Sequence, residues 1–279
     1  MFTFGAPVAF RDMRLHVGCA MWTHPAWRFA GSPKLRAYAA WCNAVEGNTT
    51  FYATPSRGTV TSWAQQTPPD FRFVLKLPRA VTHETRLTAD TTPFFHAMEP
   101  LGERAHAFWI QLPGSFGPGD VGELEAFLRR LPTGFRYAVE VRHPAFFRDP
   151  RHLSAVLTAA DAEWVPFDTT AFFRSPPGSD AERDAWAKKP RMPLRTEALT
   201  NHPIVRYLGR DDPAATVAGW QGWVDIVAGW LAEGRSPTVF LHTPDNADAP
   251  ALARRFHEQV RTRVPDLPAL AGLEPLTLF

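Results

Sequence analysis

The chain has 279 residues, 45% of them apolar, with ten Trp and twenty-one Phe. Such a composition supports a large core in a single domain spanning 1–279 and excludes disorder. A formal net charge of +2 with no basic block argues against a backbone-wide nucleic-acid contact, and no apolar run is long enough to span a membrane. Cys19 and Cys42 are the only cysteines. Their spacing fits neither a zinc site nor a disulfide framework. The first residues lack a basic start followed by a sustained apolar run, so a cytoplasmic protein without a signal peptide is expected. Lysine occurs only at Lys34, Lys76, Lys188 and Lys189, and Lys76 stands inside an apolar run.

Residues 1–13 read as a leader into a first strand over 15–20. A loop with Trp22, His24 and Trp27 leads to a helix over 34–42. A second strand is predicted over 44–51, a short helix over 59–66, and a third strand over 71–77, stopped by Pro78. After a long loop with Thr82, His83 and Glu84 comes a helix over 93–104 and a fourth strand over 105–112. An amphipathic helix over 122–131 precedes the fifth strand, Tyr137 to His143. A helix over 150–160 and a sixth strand over 163–168 follow. Residues 169–201 are polar, Pro-rich and too long for a simple connection, which predicts an irregular insertion or lid. A seventh strand over 203–208, a Trp-rich helix over 214–233, an eighth strand over 237–242 and a helix over 247–264 complete the chain.

Eight successive strand-then-helix units predict an α/β fold, a single (β/α)8 TIM-like barrel. An open doubly wound sheet would usually carry a Gly-rich phosphate loop after the first strand. Gly18-Cys-Ala-Met-Trp22 is no such loop.

In the fifth strand, Val139 and Val141 share one face while Ala138, Glu140 and Arg142 share the other. Two long charged side chains on an inner face need partners or a polar cavity. They can form a buried ion pair that holds register, or they can bring an acid, a base and an anion-binding group to the mouth of a pocket. The other strand ends repeat the pattern: Glu46 and Asn48 on the second, Lys76 on the third, Gln111 on the fourth, His143 after the fifth, Asp168 on the sixth, Arg206 on the seventh and His242 on the eighth. Each has a structural alternative as a cap or a satisfied core group. Together they would be costly to bury in one layer without a ligand or dense mutual pairing.

Val45-Glu46-Gly47-Asn48-Thr49-Thr50-Phe51-Tyr52, Ala138-Val-Glu-Val-Arg-His143 and the opening Gly18…Trp22…Trp27 resemble the YecE-like family, also called domain of unknown function 72. Trp63 with Thr67-Pro68, Phe71-Arg-Phe73 with Lys76, Thr82-His83, and Gln111-Leu-Pro113 with Ser115-Phe116 are similar to that family's pattern in order and spacing. The resemblance implies a TIM-like barrel and names no reaction. The chain differs from the commoner pattern at Arg206-Tyr-Leu-Gly209 and Leu241-His-Thr-Pro-Asp-Asn246, both on the expected rim.

The residue types suggest a cofactor-independent enzyme acting on a small phosphate- or carboxylate-bearing substrate. Lys76, Arg142 and Arg206 suit an anion, and Asn48 and Gln111 add neutral hydrogen bonds. Glu46, Glu140, Asp168 and His143 are the proton-transfer candidates, while His83, His242, Tyr52 and Trp22 would complete the binding wall. A divalent ion held by the carboxylates and histidines, for phosphoester hydrolysis, is the first alternative, although cations in the same layer would repel it. A non-catalytic ligand- or nucleic-acid-binding accessory protein is the second. Cys19 is read as a buried thiol, not a nucleophile.

Overall fold

The computed structural model describes residues 14–27 and 34–271; the predicted leader lies outside them. Nine strands occur among the described residues: β1 His16–Gly18, β2 Ala44–Gly47, β3 Arg72–Lys76, β4 Ala105–Gln111, β5 Tyr137–Glu140, β6 Ala162–Trp164, β7 Phe167–Asp168, β8 Ile204–Leu208 and β9 Thr238–His242. Helices connect most of them, and every pairing is parallel, which requires crossover connections of this kind. The strands form two sheets, ordered β2-β3-β4-β5-β6 and β1-β9-β8-β7.

The α/β alternation matches the sequence expectation, but two sheets replace the single closed ring. One seam falls where the expected sixth strand breaks at Val165-Pro166. Proline has no N–H for a ladder bond. Val165 N–H still bonds Val139 C=O at 2.8 Å, whereas Pro166 C=O accepts from Arg206 N–H at 3.0 Å. The segment therefore passes from one sheet to the other. At the second seam, β1 meets β2 largely through side chains. Val17 N–H donates to Asn43 Oδ1 at 2.7 Å, and Asn43 Nδ2 donates to Leu15 C=O at 2.9 Å. The Tyr38 hydroxyl accepts from Cys19 N–H and donates to Ala44 C=O. Gly18 permits this approach: a Cβ there would lie 2.0 Å from Ala44 O.

Strand alternation separates two cores. Val45, Phe73, Leu75, Phe108, Ile110, Val139, Val141 and Val239 belong to the large cluster that also contains the helix residues. A second cluster, drawn from strands of both sheets, holds Ala44, Val74, Trp109, Ala138, Ile204 and Phe240. Two residues beyond each of these six stand Glu46, Lys76, Gln111, Glu140, Arg206 and His242. The period of two places all six on the same face, one layer nearer the carboxyl ends.

The 169–201 segment is more ordered than its composition predicts. It contains a helix, Asp180–Lys188, whose N-terminus is capped by Ser179 Oγ accepting from Glu182 N–H at 3.0 Å. Glu182 is buried and fixes the segment to the end of β8. It accepts from Arg210 Nε at 2.9 Å, from Asp211 N–H at 3.0 Å and from Gly178 N–H at 2.7 Å. Arg210 also donates to the carbonyls of Ser175 and Pro176. The expected lid is thus a pinned segment. Among the described residues no helix is long and apolar enough to cross a membrane.

Candidate functional site

Glu46 is the hub of the charged layer and is fully buried. Its Oε1 lies 2.8 Å from Lys76 Nζ. Its Oε2 lies 2.8 Å from His242 Nε2 and 3.2 Å from Arg206 Nε. Burial alone would raise the Glu46 pKa, but Arg206, Lys76 and His242 hold it well below the usual carboxylate range. An ionised carboxylate only accepts, so His242 donates to it from Nε2. Burial, then the Arg206 charge, push the His242 pKa down to about 4 and keep its ring neutral. Lys76 also donates to Gln111 Oε1 at 2.9 Å and lies over the Trp109 ring, 4.9 Å from its centroid. Burial, then Arg206, lower its pKa to about 8, against the pull of Glu46 and Glu140.

Glu140 is the second carboxylate, 1% exposed. Its Oε1 accepts from Arg142 Nε at 2.8 Å. Its Oε2 is buried and has no hydrogen-bond partner among the described residues; Arg206 Nη1 is 3.8 Å away. Burial raises the Glu140 pKa, but Arg142, Arg206 and Lys76 outweigh that and lower it, so the group is ionised at neutral pH. An ionised, buried oxygen without a donor is unfavourable. Arg142 is the more accessible of the pair: its side chain is 26% exposed where Glu140 is 1%. Arg206 also stacks on Phe167, 4.5 Å from the ring centroid.

The structure therefore brings together Glu46, Lys76, Gln111, Glu140, Arg142, Arg206 and His242. His83 stands at their edge. Burial, then the charge of Arg142, lower its pKa, and Thr82 Oγ1 lies 2.8 Å from its Nδ1. Asn48 Nδ2 donates to Ala20 C=O at 3.0 Å and so ties the β1 loop to the end of β2. The His143 ring packs near Gly117, and its Nδ1 accepts from Ala145 N–H at 3.2 Å. That bond holds the turn after β5.

Three expected site residues are held by other contacts. Asp168 Oδ2 accepts from Trp223 Nε1 at 2.7 Å, and its Oδ1 accepts from the N–H and hydroxyl of Thr170. Its neighbour Phe167 takes the Arg206 side, so Asp168 turns toward the helix Gln221–Ala232 and is spent on structural bonds. Tyr52 belongs to a helical turn, Thr49–Tyr52, not to the strand, and is 80% exposed. Trp22 packs edge-on against Trp63 with ring centroids 5.3 Å apart. Among the described residues no group of three His, Cys, Asp or Glu is arranged to hold a metal ion. The oxygens of Glu46 are occupied by cationic and imidazole groups instead.

Lys189 follows the helix of the 169–201 segment; burial, then the charge of Arg206, lower its pKa. A cleft of about 400 Å³ lies at the opposite, amino end of the strands, near Leu15, Trp41, Asn43 and Phe71. It contains none of the charged-layer residues.

Residues 16–274 match the family model described as protein of unknown function DUF72. The chain belongs to the DUF72 family. This DUF72 protein is 37% identical over 265 residues to the UPF0759 protein YecE of Escherichia coli strain K12, covering 93% of this chain and 97% of that relative. The UPF0759 protein YecE of Escherichia coli O157:H7 matches at the same identity and coverage. Its fold is similar to the crystal structure of a DUF72 family protein from Enterococcus faecalis V583, with a TM-score of 0.66, 19% identity, and coverage of 92% of this chain and 99% of that one. A DUF72 family protein from Thermotoga maritima MSB8 gives a TM-score of 0.65 at 20% identity, covering 91% and 100%.

Proposed function

We propose that this DUF72 protein is a cofactor-independent enzyme acting on a small anionic substrate at the carboxyl ends of its strands. In this reading the two sheets act as one barrel wall around the charged layer. Arg142 and Arg206 hold the anion, and Glu140 moves a proton. Glu46, Lys76, Gln111 and His242 hold Arg206 in place and are positioning residues. The observation behind it is the Oε2 of Glu140: ionised, buried and without a donor among the described residues, beside two guanidinium groups. A substrate hydroxyl or a water can supply the missing hydrogen bond and then lose its proton to that oxygen. An arriving anion also offsets the fields of Arg142 and Arg206, which raises the Glu140 pKa and makes it a stronger base once substrate is bound. The two cysteines are buried and unpaired, in keeping with a cytoplasmic setting.

A thermal-shift screen of phosphate- and carboxylate-bearing metabolites at low ionic strength tests this. At least one class is expected to raise the melting temperature of the wild type, and Arg206→Met should abolish the rise. No response from any anion, with the fold intact, contradicts the reading.

A further inference from the structure

At the amino ends of the strands the two sheets meet in a row of three histidines that the reading above does not use. His16 opens β1 and His106 is the second residue of β4, so they belong to different sheets. His202 stands two residues before β8, back on the first of these sheets. The His106 ring touches both of the others: its centroid is 5.0 Å from that of His16 and 5.8 Å from that of His202, the second contact edge-on. His16 and His106 are 3% and 4% exposed, and His202 is half-buried. Thr238, the register partner of His16 on β9, is fully buried.

The row is short of hydrogen bonds. Both ring nitrogens of His16, Nε2 of His106, Nδ1 of His202 and Oγ1 of Thr238 are buried with no partner among the described residues. The cleft that His16 borders also carries Arg14, Asp70, Arg254, His257 and Asp266, and Asp70 pairs with Arg14 at 3.8 Å. The cleft that His202 borders carries Arg136, Asp161 and Glu163. Both oxygens of Glu163 already accept, from Trp164, Leu199 and Thr200. Arg72, at the start of β3, adds a further positive charge. An imidazolium formed in this row would be desolvated among like charges. Burial, then the charge of Arg72, accordingly push the His16 pKa down to about 3. Burial, then His16, hold that of His106 well below the usual histidine range, and burial, then Arg136, lower that of His202.

We propose that this row is an acid-sensitive clasp: neutral, its rings pack the two sheets together at their amino ends, and protonation releases them while the charged layer at the carboxyl ends stays closed. A histidine kept neutral in the fold takes up its proton only when that end opens, where it titrates near its ordinary value of about 6.5. The clasp is therefore at full strength above about pH 6.5 and weakens as the pH falls toward 5. Each such histidine lowers the closed-to-open ratio roughly thirtyfold by pH 5, and His16 with His106 about a thousandfold.

Amide hydrogen exchange of the full chain, followed by NMR at pH 7.5 and 5.0 and corrected for the intrinsic pH dependence of exchange, tests it. The amides of His16 and Phe108 bond the carbonyls of Pro237 and Arg136 at the amino ends, and those of Leu112 and Gly209 bond Glu140 and His242 at the carboxyl ends. On acidification, protection of the first pair should fall by about thirtyfold or more and that of the second pair should stay within about threefold. The His16→Gln/His106→Gln double variant should lose most of this acid response, and His106→Gln alone serves if the double variant folds poorly. Wild-type amides that respond alike at both ends overturn the proposal. So does a folded variant whose amino-end response is unchanged.

Discussion

Replacing Glu46 by Gln is expected to lower the unfolding free energy by about 3–5 kcal/mol, because it leaves buried cations without their counter-charge. Lys76 and Arg206 are 3% and 6% exposed, so water cannot take over the role of the carboxylate. The loss is a large share of the roughly 5–15 kcal/mol that keeps a domain folded. Gln keeps the shape and one acceptor oxygen, so the change isolates charge from packing. Denaturant titration measures it. Adding Lys76→Met to the Glu46→Gln background should recover part of the loss, since one uncompensated cation is then removed. A Glu46→Gln chain within about 0.5 kcal/mol of wild type would mean that the hub carries no structural burden.

Glu140→Gln should behave in the opposite way. Arg142, its close partner, is 26% exposed and can be resolvated, while Arg206 retains Glu46. We expect a stability cost of about 1 kcal/mol or less, and a fall in turnover of roughly 10²–10⁴-fold on an anion found by the screen, the usual scale for a lost general base. Arg142→Met should cost more stability than Glu140→Gln, because it strands a carboxylate that is 1% exposed. The double-mutant cycle separates the roles. Large single losses that vanish in the double mutant would make Glu140 and Arg142 a register-holding ion pair and nothing more.

The inner face of β5 was legible because Val139 and Val141 alternate with Ala138 and Glu140 without interruption. The same period of two, carried from Ala44, Val74, Trp109, Ile204 and Phe240, assembled Glu46, Lys76, Gln111, Arg206 and His242 in one layer. Asp168 ends the expected sixth strand, but Pro166 interrupts that strand, and the carboxylate accepts from Trp223 instead. Tyr52 was misplaced because the strand ends at Gly47 and a helical turn begins two residues later. The helix Asp180–Lys188 was missed for a different reason. It sits in a segment with no sheet periodicity, and tertiary bonds from Thr169 and Arg210 decide where that segment lies. Signals that could have found the segment's helix are the Ser179-x-x-Glu182 cap and the lysine pair in an otherwise lysine-poor chain.

The most direct test of the proposed anion site is a crystal of the full chain soaked in tungstate, a heavy tetrahedral oxyanion identified by its anomalous signal. The strongest peak is expected between Arg142 and Arg206, within hydrogen-bond distance of both guanidinium groups, and should be lost in Arg206→Met. Peaks confined to exposed arginines on the outer helices, with none at the carboxyl ends of β5 and β8, would contradict it.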